Sequence, residues 1–508
     1  MKPVATRALS RSFDERSVKE WGVSDLVLME NAGRGATDII ERDWLAGRPG
    51  KKRIVLVCGT GNNGGDGFVV ARHLLLRGAA PICFIVGSRE KMTASTGANL
   101  TAFLNVQGDV RDVEPGSLLD EMREHLSRAD LVIDALFGTG LDRPLEGDPV
   151  GIVDMINEAD LPKIALDLPS GLHADTGRVM GACVNASATV AFGHLKLGLC
   201  TAVGAAQAGK IDVADIGVPP ELLGSPFSLM EDTDVRELLV TRNAAAHKFS
   251  AGHVAVIGGS EGKIGAPLMA AEAALRGGAG VVTLGTWDRV APLLESRVRE
   301  IMVGKLIGDA LEGSIDALLD KKKSVTIGPG LGTDDEAEHA VRHVLRSFAG
   351  TVVVDADALR IGEANPEAFA NAEGAVILTP HAGEAARILG VTSAEVDEDR
   401  LAAALSLAKR ARSVVVLKGA HTIIATPSGE VRIAAKGSPA LATAGSGDVL
   451  SGLIGALAAT LTPFDAASVG AHVHARVGEE WEEANGDRGL LAHEIADGTP
   501  ALLGRLLR

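Results

Sequence analysis

What constrains this chain most is a rhythm: apolar runs of four to six residues alternate with helical patterns along almost all of it. Such alternation marks βαβ units, whose parallel strands lie between covering helices. The runs at 53–58, 81–86, 131–135, 164–168 and 188–192 are expected strands of a first sheet. Between Gly217 and Asp234 the rhythm lapses, broken by three prolines and two glycines. A second series follows at 253–257, 281–284, 324–327, 351–355, 375–378 and 413–417. It continues as a hairpin, 422–425 with 431–434, around the turn Thr426-Pro427-Ser428-Gly429. The expected fold class is α/β with two domains. A three-layer α/β/α domain over 1–218 and a second α/β domain over 235–508 are joined by a linker at 219–234.

Length agrees, since at roughly 150 residues per domain 508 residues allow two large domains or three small ones. Glycine is abundant at 61 residues, while tyrosine is absent and aromatics are only 3%. Without rings for bases to stack on, a single-stranded nucleic-acid binder is disfavoured. Charge points the same way: 50 Lys and Arg against 66 Asp and Glu leave −16, which repels polyanions. No nucleic-acid partner is expected. The cysteines at 58, 83, 183 and 200 show no CxxC spacing, so a reducing cytoplasm fits. Residues 1–18 hold Asp14 and Glu15 and no apolar core, so no signal peptide is expected. The longest uncharged stretch, 449–464, is shorter than the roughly 20 residues of a membrane span, so no membrane partner is expected either.

The expected strand 53–58 runs into Gly59-Thr60-Gly61-Asn62-Asn63-Gly64-Gly65-Asp66-Gly67, with a helix after it. Free N–H groups at a helix start form an anion site, and glycines permit close approach of a phosphate. The amides and carboxylate of Asn62, Asn63 and Asp66 can bond a ribose or nicotinamide, or offer oxygens to a cation. The plainer reading is a turn rich in Asn and Gly that only reverses the chain. Two more strand ends reach the same edge of the sheet. Asp134 precedes the turn Phe137-Gly138-Thr139-Gly140-Leu141-Asp142-Arg143-Pro144, and Asp167 leads into Pro169-Ser170-Gly171. Acids at the ends of parallel strands lie in the crevice where α/β sheets bind ligands. For Asp142 and Asp175, a cap or solvated loop residue is the simpler role.

Together with the run Val27-Leu28-Met29-Glu30-Asn31-Ala32-Gly33 and with Phe192-Gly193 and Lys196, these motifs resemble the YjeF N-terminal domain, the NAD(P)H-hydrate epimerase. The resemblance implies a Rossmann-like fold and epimerisation of the hydrated nicotinamide ring at C6. It places NAD(P)HX binding on Asn62, Asn63, Gly64, Gly65 and Asp66, on Gly138, Thr139, Gly140, Leu141, Asp142, Arg143 and Pro144, and on Asp167. It also implies a potassium ion on Asn63, Asp134 and Ser170, whose hard oxygens suit an alkali cation. Asp167 is the candidate acid/base, with Lys196 polarising or anchoring beside it.

The second half carries Gly258-Gly259-Ser260, Gly265-Ala266-Pro267, Gly328-Pro329-Gly330-Leu331-Gly332, Thr379-Pro380-His381-Ala382-Gly383-Glu384, Lys418-Gly419-Ala420-His421-Thr422 and Thr443-Ala444-Gly445-Ser446-Gly447-Asp448. In the last, two glycines open a long apolar helix, so N–H groups at its positive end can hold a transferring phosphoryl group. Asp448 then accepts the proton of the attacking hydroxyl, or merely complements the helix dipole. No Walker A pattern occurs. With His247-Lys248 ahead of the first expected strand, these loops resemble the ribokinase-like superfamily, more narrowly the ADP-dependent NAD(P)H-hydrate dehydratase. That implies NAD(P)HX contacts from Ala266, Gly332, His381 and Asp448. It implies ADP or AMP contacts from Lys418, Gly419, Ala420, His421, Thr422 and Gly447, and magnesium with ADP. One departure is Lys248-Phe249-Ser250, where the family more often has Lys-Gly and an aromatic.

The implied activity is repair of the hydrates NADHX and NADPHX, with catalytic Asp167 and Asp448, by a cytoplasmic assembly of several copies. The alternative is a vitamin-precursor or sugar kinase fused to a non-catalytic nucleotide-binding module.

Overall fold

The computed structural model describes the chain apart from residues 114–118, 240, 243–246, 249 and 250. Two compact units result, Lys2–Ser225 and Pro226–Arg508, the second also including Met1.

Among the described residues of the first unit, one sheet has seven parallel strands in the order Asp109–Val113, Ala80–Val86, Arg53–Cys58, Leu131–Ala135, Lys163–Leu166, Ala188–Phe192 and Lys210–Ala214. Alternate residues of each strand point to opposite faces, and both faces are covered. Ile54, Leu56 and Cys58 pack with Leu28, Ala36, Phe68, Leu74 and Phe103 of the helices on one side. Val55 and Val57 pack with Met122, Leu126, Ile152, Val153 and Ile156 on the other. This double burial explains why the central strands read as unbroken apolar runs. Strand order reverses between Arg53–Cys58 and Leu131–Ala135, and a crevice opens at such a switch point beyond the strands' carboxyl ends.

In the second unit the strands lie in the order Met302–Leu306, Val281–Trp287, His253–Ile257, Ser324–Ile327, Thr351–Val354, Val376–Leu378, Val414–Leu417, Ile423–Ala425, Val431–Ile433 and Phe227–Leu229. All neighbours are parallel except around the hairpin at Ile423–Ala425. Helix Ser446–Leu457 is buried on nearly every side, against Val353, Ile377 and helix Pro463–Asn485, and this accounts for its largely apolar sequence beyond Asp448.

The stretch read as a linker, 219–234, is structured. It holds a turn of 3₁₀ helix, strand Phe227–Leu229 and the start of helix Asp232–Leu238, and the units divide between Ser225 and Pro226. The strand expected at 164–168 stops at Leu166, because Asp167 turns into the left-handed region at φ +65°. Among the described residues no helix is long and apolar enough to cross a membrane.

Candidate active site

At the switch point of the first sheet lies a cleft of about 650 Å³. Its walls include Gly59, Thr60, Gly61, Asn62, Asn63 and Asp66 from the first glycine loop, and Gly138, Thr139, Gly140, Leu141, Asp142 and Arg143 from the second. Asp167 and Lys196 complete it from the sheet edge, and Ser10 and Asp14 from helix Arg7–Lys19. Gly64, Gly65 and Pro144 do not border it.

The glycines of the first loop serve packing more than ligand approach. A Cβ on Gly64 would lie 1.8 Å from the Gly59 carbonyl oxygen, one on Gly65 2.6 Å from Met29 Sδ, and one on Gly67 2.7 Å from Ala135 Cβ. They let helix Asn62–Leu76 seat tightly on the strand ends. Only Gly61, at the helix cap, stands clear of neighbours.

Asp167 and Lys196 form a buried ion pair. The Lys196 ammonium also donates to the Phe192 carbonyl at 2.9 Å, and the Asp167 N–H donates to the Val190 carbonyl at 2.8 Å. A Cβ on Gly138 would lie 3.2 Å from Asp167 Oδ2 and 3.4 Å from the Asn63 side chain, so these three converge. Burial, with Asp167 and Asp14 nearby, lifts the Asp66 carboxyl well above the usual carboxylate range. Asp14 opens onto the cleft, yet the protein crowded around it lifts it to about 6; Asp167 and Asp25 raise it too, against Lys196.

Behind the cleft Asp134 is fully buried, accepting from Ser170 Oγ at 2.6 Å, the Ser170 N–H at 2.7 Å and the Leu136 N–H at 3.1 Å. Burial still lifts it to about 6, despite these hydrogen bonds. The Asn63 amide is buried with neither Oδ1 nor Nδ2 bonded. An orphaned amide, a desolvated carboxylate and a hydroxyl are together the kind of hard oxygen donors that suit an alkali cation. Among the described residues, no group of three His, Cys, Asp or Glu side chains is arranged for a metal.

In the second unit the loops again gather at strand ends. Lys418, after strand Val414–Leu417, donates to Asp355 Oδ1 at 2.9 Å and lies 3.7 Å from Glu384. Burial alone would lower its ammonium, but Asp355 and Glu384 hold it above its ordinary value. Asp355, 1% exposed, also accepts from Thr379 Oγ1 at 2.7 Å. A Cβ on Gly447 would lie 3.3 Å from Lys418 Nζ, so the lysine reaches the start of helix Ser446–Leu457. Gly445 turns the chain into that helix at φ +89°, packed so closely that a Cβ would lie 2.4 Å from Met269 Cε. Burial, helped by Asp355 and opposed by Lys418, lifts Asp448 to about 7.

The remaining expected residues are placed as follows. The Gly332 N–H donates to Asp357 Oδ2 at 3.0 Å, and Ala266 Cβ lies 3.4 Å from where Gly330 would carry a Cβ. His381 caps helix Ala382–Leu389, its Nδ1 accepting from the Gly383 N–H at 3.0 Å, while Glu384 answers to the His381 N–H at 2.8 Å. Ala420 is exposed, Gly419 lies under Arg400, and Thr422 Oγ1 donates to the Gly419 carbonyl at 2.8 Å. Buried His421 has both ring nitrogens unbonded and is lowered to about 4 by burial. Phe249 and Ser250 of the Lys248-Phe249-Ser250 departure lie outside the described residues.

Sequence reasoning missed four participants, one of them Asp355, which was read only as the end of an expected strand. Asp14 sits on a helix with no loop motif, Glu384 was read only within its motif, and His474 holds Ser446 Oγ and the Ser446 carbonyl at 3.1 Å each from another helix. Only Glu384, three residues after His381, carried a legible signal, that of a capping box.

Two family models match the chain: the YjeF-related protein N-terminus over residues 25–198, and the NAD(P)H-hydrate dehydratase over 254–501. The bifunctional NAD(P)H-hydrate repair enzyme of Moorella thermoacetica is 40% identical, covering 99% of this chain and 97% of its own. That of Escherichia coli is 35% identical over 93% and 88%. Among solved structures, the ADP/ATP-dependent NAD(P)H-hydrate dehydratase of Bacillus subtilis, co-crystallised with ATP and Mg2+, is 33% identical. It covers 54% of this chain and 97% of its own with a TM-score of 0.50. The kinase-with-binding-module alternative is set aside by matches that span both halves under one name. The chain belongs to the family of bifunctional NAD(P)H-hydrate repair enzymes, joining an NAD(P)HX epimerase to an ADP-dependent NAD(P)HX dehydratase.

Proposed function

We propose that the two reactions are divided between Asp167 in the first unit and Asp448 in the second, with the domains following the two compact units. One observation carries the reading: each unit holds a lysine–carboxylate pair, Lys196 with Asp167 and Lys418 with Asp355, where glycine loops open helices at the carboxyl edge of its sheet.

In the epimerase cleft, Asn62, Asn63 and Asp66 with the loop Gly138–Pro144 hold the hydrated nucleotide, Arg143 facing its phosphates. Gly64 and Gly65 act through packing. Asp167, fixed by Lys196, exchanges the proton needed as the C6–O bond opens and re-forms. Asn63, Asp134 and Ser170 would hold potassium, which would screen the buried Asp134 charge. The unbonded Asn63 amide supports this assignment.

In the dehydratase unit, Ala266, Gly332 and His381 position the S hydrate and Asp448 accepts the proton of its C6 hydroxyl. Lys418, Gly419, Ala420, His421, Thr422 and Gly447 hold ADP. The hydroxyl oxygen attacks the β-phosphorus and AMP leaves. The phosphate ester then departs from C6 as the N1 lone pair forms an iminium, and loss of a C5 proton restores the ring. NADHX and ADP thus become NADH, AMP, phosphate and a proton. Magnesium bound with ADP would supply neutralisation of charge on the transferring group. The enzyme works in the cytoplasm as a homo-oligomer.

Full-length protein with S-NADHX, ADP and magnesium should restore the absorbance of the reduced ring, and Asp448→Asn should not. Restoration by that variant at the wild-type rate would remove Asp448 from the reaction.

A further inference from the structure

Epimerisation at C6 removes a hydroxyl from one face of a carbon and returns one to the other. Protons must therefore be exchanged on both faces. Asp167 is held where it cannot serve both: its backbone is left-handed, its N–H is bonded to Val190, and its carboxylate is paired with buried Lys196. A second group has to stand across the cleft.

The cleft offers four other carboxyls, Asp14, Asp25, Asp66 and Asp142. Asp142 is exposed and lies 3.5 Å from Arg7, and Asp25 is an exposed first-turn residue of its helix. Asp66, 8% exposed in the glycine-loop helix, is pushed well above the usual carboxylate range by burial. Asp14 stands next to buried Phe13 on helix Arg7–Lys19, an element separate from the sheet edge whose Ser10 also lines the cleft.

We propose that Asp14 is the second proton-exchanging carboxyl of the epimerase cleft, serving the face of C6 opposite Asp167. The proposal rests on the reading of Asp167 as acid/base. The helix that carries Asp14 is locked in register. Phe13 is buried edge-on to Trp21 and to His194, with ring centroids 5.4 and 5.3 Å apart, and Ser10 Oγ lies 3.0 Å from His194 Nε2. The charged groups facing Asp14 are Lys196, Asp167, Asp25 and Asp66. Desolvation by the surrounding protein first, and then these charges with Lys196 opposing, lift it to about 6, so it can give or take a proton at modest cost.

In one direction protonated Asp14 donates to the C6 hydroxyl, the C6–O bond breaks as the N1 lone pair forms the C6 iminium, and water departs. A water then adds to the opposite face and gives a proton to Asp167. In the reverse direction the carboxyls exchange roles, and solvent resets their protons.

The test uses the full chain with Asp14→Asn, Asp14→Glu, Asp14→Ala and Asp167→Ala, following R-to-S conversion by chromatography and dehydration of S in parallel. Asp14→Asn should slow epimerisation by about 100-fold or more while leaving dehydration unchanged. Asp14→Glu should recover most of the rate, and formate should restore Asp14→Ala in proportion to its concentration. Epimerisation by Asp14→Asn within about threefold of wild type overturns the proposal, as does a loss that neither glutamate nor formate repairs, which would mark a structural role. If instead Asp167→Ala epimerises normally, it is the assignment of Asp167 that fails.

Discussion

Dehydration should carry the titration of Asp448 in its pH profile, and Lys418 should set where that titration falls. The carboxyl lies at about 7 because burial and Asp355 raise it while Lys418 pulls it down. As a base it works only when ionised. About 10% is ionised at pH 6 and about 90% at pH 8, so the rate at saturating ADP should rise roughly ninefold between them. Below pH 6 it should fall about tenfold per unit. Removing the ammonium with Lys418→Met takes away the one opposing charge, leaving Asp355 and Glu384 uncompensated. The limb should then move up by about one pH unit or more. The assay is recovery of reduced-ring absorbance from S-NADHX, with ADP raised until the rate saturates, because Lys418 also serves the nucleotide. A profile that is flat across this range, or a limb that stays in place in Lys418→Met, would refute the electrostatic reasoning.

Further outcomes follow from the same geometry. A carboxyl that binds its proton more tightly in the folded chain than in the unfolded one lowers stability as pH rises between its two values, here from about 4 to about 7, and by a constant amount above. Asp448→Asn should therefore raise the unfolding free energy of the second unit at pH 8, by at most about 4 kcal/mol, and not at pH 4; equal unfolding free energies at pH 8 would contradict this. Gly64→Ala drives a Cβ to 1.8 Å from the Gly59 carbonyl oxygen. It should cost the first unit about 3 kcal/mol and abolish epimerisation while sparing dehydration. Gly61→Ala, with φ −82° and open space around it, should stay within about 1 kcal/mol of wild type. Potassium, but not lithium, should raise the melting temperature of the first unit, and Asp134→Asn should remove that response; a response that persists would place the ion elsewhere.

The central strands were legible because burial on both faces leaves wholly apolar stretches such as 54–58 and Val414–Leu417. Edge strands escaped notice. Asp109–Val113 and Met302–Leu306 face solvent along much of their length and so carry charges or glycine within them. The chemistry-bearing loops were also readable, since Asp134, Asp167 and Lys418 sit at or just past the carboxyl ends of strands and Asp448 in the first turn of a helix. The division of labour among glycines was not: a glycine needed for packing and one needed for a phosphate are the same letter. Likewise His381 reads as a ligand or a cap until Gly383 and Glu384 are seen donating to it. Asp14 gave no signal, because what brings it to the cleft is the packing of Phe13 and Ser10 around His194, between residues far apart in the chain.

The central claim is that one chain performs two separable reactions. Its most direct test is to give an equal mixture of R- and S-NADHX, with ADP and magnesium, to wild type and to Asp167→Ala, and to measure the fraction of reduced ring recovered. The account predicts complete recovery by wild type and rapid recovery of only the S half by Asp167→Ala. Complete recovery by Asp167→Ala at the wild-type rate would contradict it.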